Sequence, residues 1–405
     1  MCIDDSRLSA SDQNSFRKFC RILECLIHFE FHHQAERLKD CYAPFNPDAD
    51  TRSIYTYSME EKVRLQKKLV EALNAILNAA NFKKITKADL EEALQEESLF
   101  KIRLRVDFGD FEEVLFFRRG ESTKEEILIK LFGLKKEPFK FTNYERVVMY
   151  IKFKEEDYFK TKKRKSLYFT PGSTIIKLFQ NVPKADLEML FPNSEVRMKT
   201  IDKLIIGIPA AVSGIAVVAT KLGASIVLIV AVISFWLGLR EKEVNIEQQH
   251  LVALSLGLAT LGGFLFRQIN KFKNRKIKFM KALSDNLYFK NLGNNAGVFH
   301  HLIDAAEEEE FKEAVLAYYF LLTEDRDLTK TELDDTAERW FANKYNCRVN
   351  FEIDDALRKL KRWELVSHDG NIIRNISLNN AKQKLDSIWD NFFTYHQATE
   401  VFNKP

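Results

Sequence analysis

Cysteine is scarce in this 405-residue chain: five residues, at Cys2, Cys20, Cys25, Cys41 and Cys347, none of them paired as Cys-x-x-Cys. Their scatter and odd number argue against a disulfide framework or a zinc ribbon and fit free thiols in a reducing compartment. Glycine patterns that cradle phosphate are also missing, since there is no Gly-x-x-x-x-Gly-Lys and no Gly-x-Gly-x-x-Gly, and no Gly-x-Ser-x-Gly elbow offers a nucleophile. There is little excess charge of either sign. Lys and Arg total 62 against 58 Asp and Glu, a net +4 too small to mark a nucleic-acid binder. The first residues (MCIDDSRLSASDQ) hold no apolar signal core, and Asp4 and Asp5 argue against an Arg-rich transit peptide. Asp186 and Glu188 lie two apart on an expected helix, so they point to different faces and do not make a carboxylate pair.

What is present is an apolar block over residues 204–266, divided by Lys221 and by Arg240-Glu241-Lys242-Glu243 into uncharged runs at 204–220, 222–239 and 248–266. A helix of about 18 residues covers roughly 27 Å, close to a hydrocarbon core of about 30 Å. The second run carries β-branched and aromatic bulk with Trp236 at its end, and the third is rich in Gly and Ala (Gly257, Gly262, Gly263), as close helix contacts favour. The first contains Gly207, Pro209 and Gly214 and reads as interfacial or re-entrant. Past the block stands a basic run without an acid: Arg267, Lys271, Lys273, Arg275, Lys276, Lys278 and Lys281. Both flanks of the block are basic, so both are expected on the cytoplasmic side, with two spans near 218–239 and 248–266. The basic run is the candidate contact for anionic lipid headgroups.

The expected fold is therefore an α+β membrane protein in five parts. Residues 1–99 read as helical, with Phe16, Phe19, Cys20, Leu23, Leu26 and Ile27 at helical spacing and a break at Tyr42-Ala43-Pro44-Phe45-Asn46-Pro47-Asp48. Residues 100–200 form an α+β region with a small antiparallel sheet, its strands expected at 101–108, 113–118, 146–153, 166–170 and 174–179, then a short helix opened by Pro183. Residues 201–266 are the membrane region and 267–281 the basic juxtamembrane run. In 282–405 the break Gly293-Asn294-Asn295 precedes a long apolar-faced helix. Thr329 with Glu332 resembles a capping box, and two helices followed by a hairpin turning at Asp369-Gly370-Asn371 look like a winged helix. Glu352, Asp354 and Asp355 would open its second helix and face phosphate unfavourably, so protein packing is expected there and not DNA.

Several long strings carry a resemblance: Tyr42-Ala43-Pro44-Phe45, VPKADLEMLFPNSEVRM at 182–198, the stretch 266–322, and the winged-helix-like end. Over most of its length the chain resembles an uncharacterised membrane family that includes animal transmembrane protein 143, a mitochondrial membrane protein, with bacterial and plant relatives. The resemblance implies an integral-membrane protein with a membrane hairpin and supplies no reaction. Without a transit-type start, the chain is similar to a bacterial member, placed in an inner membrane with cytoplasmic termini, or in a mitochondrial membrane if eukaryotic.

One constellation could hold a metal. On a helix His301, Asp304 and Glu308 share a face, and His300, Asp304 and Glu307 make a second trio. Imidazole with carboxylate at this spacing suits zinc, manganese or iron, and His28, Glu30, His32 and His33 would complete a site if the two clusters met. The plainer reading is ordinary helix electrostatics, with no cofactor. The function expected is a non-enzymatic, membrane-anchored scaffold with a protein partner or self-association. The alternatives are an oligomeric channel or transporter, against which no charge lies inside the second and third runs, and a metal-dependent enzyme using the 300–308 helix.

Overall fold

A computed structural model describes residues 2, 5, 7–48, 55–95, 103–130, 135–162, 169–197, 230, 233–239, 248–324, 326–351 and 353–393. The helical recurrence beginning at Phe16 builds α1 (Ala10–Tyr42), capped by Ser9, whose hydroxyl accepts from Asp12 N. A capping box between Ser58 and Glu61 opens α2 (Met59–Ala79). Next come β1 (Lys83–Ile85) and α3 (Lys87–Gln95), the latter started by Thr86, whose hydroxyl accepts from Asp89 N at 3.1 Å.

The chain then forms β2 (Arg103–Arg105), β3 (Phe111–Lys130), β4 (Lys135–Phe153), α4 (Glu156–Thr161) and β5 (Thr174–Pro183). A 3-10 helix (Lys184–Leu190) and β6 (Glu195–Arg197) close this region. The strand expected at 101–108 is reduced to β2, because Asp107 caps a 3-10 turn at Phe108–Asp110. The strand expected at 113–118 is part of a ribbon 20 residues long. The strand expected at 166–170 lies largely outside the described residues.

The main sheet has the order β1-β3-β4-β5-β7, all antiparallel, where β7 (Asn291–Asn294) comes after a long helix, α5 (Gln248–Lys290). Every residue of 147–153 in β4 is buried, as a central strand covered on both faces requires. Leu115, Phe117, Val148, Tyr150, Ile176 and Leu178 form the face that joins the helical core. Phe116, Val147, Met149, Ile151 and Phe179 form the other, packed on Leu187, Leu190 and Phe191.

The break expected at Gly293-Asn294-Asn295 is thus a short strand that ends at a special residue. Asn295 has φ 51° and ψ −128°, its N–H donates to Ile176 O at 2.6 Å, its Oδ1 accepts from Ile176 N at 3.3 Å, and its Nδ2 donates to Asp48. That residue starts α6 (Ala296–Thr323), the helix around which the core is built, with Val298, Phe299, Leu302, Ala306, Ala314 and Tyr318 buried.

The remaining elements are β8 (Leu328–Thr329), α7 (Lys330–Tyr345), α8 (Ile353–Arg362), β9 (Val366–Asp369), β10 (Ile372–Asn375) and α9 (Leu378–Asp390). The capping box of Thr329 and Glu332 is present. The run β8, α7, α8, β9, β10, with sheet order β8-β10-β9, resembles the order of a winged helix, and is called the winged-helix unit for that likeness alone. Its second helix, α8, lies against α6 and buries Ile353, Ala356, Leu357 and Leu360 there.

The membrane hairpin is corrected. Among the described residues, no helix is long and apolar enough to cross a membrane. Of the span expected at 218–239, only 230 and 233–239 are described; the remainder, like the interfacial piece at 204–217, lies outside the described residues. The span expected at 248–266 is the first part of α5. It opens on Gln248, Gln249 and His250, which are uncharged but strongly polar. From there to Arg267 the helix has about 16 residues, roughly 24 Å, short of a core of about 30 Å and interrupted by Ser255, Thr260, Gly262 and Gly263. It then continues unbroken into the basic run and ends at Lys290. The fold described is α+β, with a five-stranded antiparallel sheet, a winged-helix unit and a long helix between them.

Candidate functional site

The acidic stretch of α6 meets a different element at almost every carboxylate. Glu307 accepts from His28 Nδ1 of α1 at 2.8 Å. Glu308 pairs with Lys312 at 2.6 Å. Glu309 accepts from Arg119 of β3 at 3.0 Å and from Asn81 at 3.4 Å. Glu310 and Glu313 both contact Lys359 of α8, Glu313 at 3.2 Å, and Asn81 also donates to Glu313 at 3.1 Å. Arg362 reaches Glu30 of α1 at 2.6 Å. Burial, and next Arg362 nearby, lower the Lys359 ammonium to about 7, with Glu30 pulling the other way. These bonds join α1, the sheet and the winged-helix unit across α6.

This geometry separates the proposed metal ligands. Helices α1 and α6 pack together, and the two clusters touch at one point, His28 on Glu307, while the other side chains turn elsewhere. Glu30 turns to Arg362, His33 packs on Phe29 and stacks on Phe392, and Glu308 is held by Lys312. His300 is exposed. His301 lies over β7, where a Cβ on Gly293 would come within 3.2 Å of its Cδ2. Among the described residues, no group of three or more His, Cys, Asp or Glu side chains is placed to hold a metal ion. In the trios His301-Asp304-Glu308 and His300-Asp304-Glu307, Glu308 is held by Lys312 and Glu307 by His28, while Asp304 and His300 are exposed.

One of those faces lines a cleft instead. His301, Asp304 and Glu308 of α6 form one wall of a space of about 410 Å³, Arg119, Glu145 and Arg146 form the other, and Leu178, Leu292, Leu302 and Phe82 lie at its floor. Arg119 and Arg146 are direct partners in the β3-β4 ladder, so both point to the same side of the sheet. They continue the column that runs through Phe117 and Val148 and change it from apolar to cationic at the end of α6. Gly120, inside β3, takes φ +68°, with the Glu145 side chain packed over it where a Cβ would stand. Neither arginine was found from sequence. The available signal was a charged residue in phase with a buried column.

The second candidate surface is α5. Its contacts with other elements are to β5, β6 and the 3-10 helix, and Leu287 and the Phe289 carbonyl, which accepts from Gln180, belong to its C-terminal end. Along the rest of the helix large apolar side chains are exposed: Leu251, Leu256, Leu258, Leu265, Phe266, Ile269, Ile277 and Met280, with Phe266 67% exposed. Arg267, Lys271, Lys273, Lys278 and Lys281 are exposed as well, and the side chains of Arg275 and Lys276 lie outside the described set. By the helical period of about 100° per residue, Arg267, Lys271 and Lys278 fall within about 40° of one another, and Leu265, Ile269 and Met280 fall within about 60° on the opposite side. Lys281 falls on the cationic side too, while Lys273 falls on the apolar side, about 20° from Met280, so the downstream half of α5 is two-faced, cationic on one side and largely apolar on the other, with one lysine inside the apolar face.

On α8, Arg358 pairs with Asp355, Lys359 with Glu310 and Glu313, and Arg362 with Glu30, so these cations are engaged within the chain.

A family model described as a protein of unknown function (DUF3754) matches residues 144–297. The matched segment runs from the end of the β3-β4 ribbon through α5 and β7 to the start of α6. It includes Arg146 and Leu292 of the cleft and the whole of the two-faced helix. No solved structure matches the chain.

Proposed function

We propose that this protein is a non-enzymatic interaction platform that rests on an anionic membrane surface through α5. The observation that carries the reading is the downstream part of α5, which among the described residues has few partners and sets most of its cations opposite an apolar stripe. An exposed apolar stripe opposite a row of Lys and Arg is the arrangement of a helix lying in the plane of a bilayer interface. Each cation near an anionic leaflet contributes on the order of 1 kcal/mol, and a stripe of Leu, Ile and Met adds burial. The cytoplasmic leaflet supplies such a surface, and free thiols suit that side of a membrane. The winged-helix unit, tied to the sheet through α6, is then available to a protein partner or a second copy. The strings at 42–45, 182–198 and 266–322 support kinship with the family that includes transmembrane protein 143, and the chain would be a bacterial member of it.

The test is co-sedimentation of the full chain with vesicles. Phosphatidylglycerol vesicles are expected to bind it, and phosphatidylcholine vesicles to bind it weakly. The variant R267E/K271E/K278E should lose at least about a hundredfold in partitioning, three cations at about 1 kcal/mol each. Equal binding by the variant, or equal binding to both vesicle types, would defeat the reading.

A further inference from the structure

We infer that the cleft between the β3-β4 ribbon and α6 binds a small zwitterion, a phosphate ester carrying an ammonium group. The inference goes beyond membrane docking and does not depend on it. Two guanidiniums stand side by side at one wall, and like charges opposite each other in a ladder weaken a sheet. Arg119 has an acid of its own, Glu309. The side chain of Arg146 donates only to a backbone carbonyl, Glu145 O at 3.1 Å, and meets no carboxylate among the described residues. On the facing wall Asp304 is exposed to the cleft and meets no cation among them. A guanidinium and a carboxylate therefore line one space without reaching each other. A ligand with a negative end and a positive end satisfies both. Phosphate fits the Arg146 guanidinium, which can offer its fork of N–H donors to the oxygens, with Arg119 beside it adding positive charge while held by Glu309. An ammonium fits Asp304. The volume of about 410 Å³ suits a small organic molecule and exceeds a bare ion, and the leucines at the floor suit a short carbon link.

Such chemistry has two sources, a soluble phosphoethanolamine-type compound or the headgroup of an ethanolamine lipid. The second is open because α5 runs directly into β7, whose Leu292 lines the cleft.

The experiment is calorimetric titration of the full chain with phosphoethanolamine. Saturable binding is expected, weakened about tenfold or more in Arg146→Ala and in Asp304→Asn, with inorganic phosphate alone and ethanolamine alone each binding more weakly. Both side chains are exposed, so the ligand-free variants should melt with the wild type, which separates lost binding from lost folding. Absence of saturable binding by the wild type, unchanged binding by both variants, or inorganic phosphate binding as tightly as phosphoethanolamine overturns the assignment. A second arm compares vesicles with and without phosphatidylethanolamine. Dependence on that lipid that Arg146→Ala abolishes identifies the headgroup as the source, and binding of the free compound without it identifies the soluble one. The titration contains no membrane, so failure of α5 to dock would leave its result unaffected.

Discussion

Replacing Lys359 by Met isolates the contact that holds the winged-helix unit to α6. The Lys359 and Glu313 side chains are each 9% exposed, and Glu310 is 15% exposed. Methionine keeps the length and apolar stem of lysine and removes only the charge. A buried carboxylate, Glu313, and a half-buried one, Glu310, would then lose this cation, and breaking a buried pair in this way costs about 3–5 kcal/mol. Asn81 still donates to Glu313, which places the expected loss toward the lower end of that range. Urea unfolding followed by tryptophan fluorescence reads it well, because Trp363 is buried one helical turn from Lys359, and Trp340 and Trp389 lie in the same part of the chain. Adding Glu310→Gln and Glu313→Gln to the Met variant should return about half of the loss, since neutral amides are far cheaper to bury than unpaired carboxylates. A Met variant within about 1 kcal/mol of wild type would refute the idea that the acidic stretch of α6 is a structural junction.

Asp5→Asn should lower stability by about 1–3 kcal/mol at neutral pH, measured as a shift in urea midpoint. Burial alone would raise the Asp5 carboxyl, but hydrogen bonds from Lys344 and Arg7 outweigh it and hold it well below the usual range. Its contribution is therefore full above the unfolded value near 4 and is lost as pH falls through the folded one, so wild type and variant should converge in acid. Asn295→Ala should cost about 2–4 kcal/mol by melting or denaturant, through strain at φ 51° and the lost bonds to Ile176 N and Asp48. Asn295→Gly keeps the backbone conformation and should cost less.

Local chemistry was legible where its partners are close in sequence. Thr329 and Glu332 announce their helix because both halves of the cap lie within one turn. The apolar run within 146–153 announces a strand, yet the ribbon of β3 and β4 extends far past its apolar part, because cross-strand hydrogen bonds continue where side chains are charged. The acidic stretch of α6 looked like ligands or a solvated helix start. Its partners, His28, Asn81, Arg119 and Lys359, come from elements whose approach no local pattern encodes. The span expected at 248–266 fails because an uncharged run is not the same as an apolar one. Gln248, Gln249 and His250 carry no charge, but their cost in hydrocarbon leaves too little apolar length before Arg267. The basic run belongs to the same continuous helix, with Arg267, Lys271, Lys278 and Lys281 on one side of it.

The orientation of α5 on a bilayer is the most direct measure of the central claim. Single cysteines at Ile269 and at Lys271, in a background where the exposed Cys25 and Cys347 are replaced by serine, would carry a polarity-sensitive fluorophore. With phosphatidylglycerol vesicles the label at position 269 should shift strongly to the blue, as it enters the acyl boundary, and the label at 271 should shift little. No blue shift at either position, or the same shift at both, would contradict a helix that lies on the membrane with its apolar stripe inward.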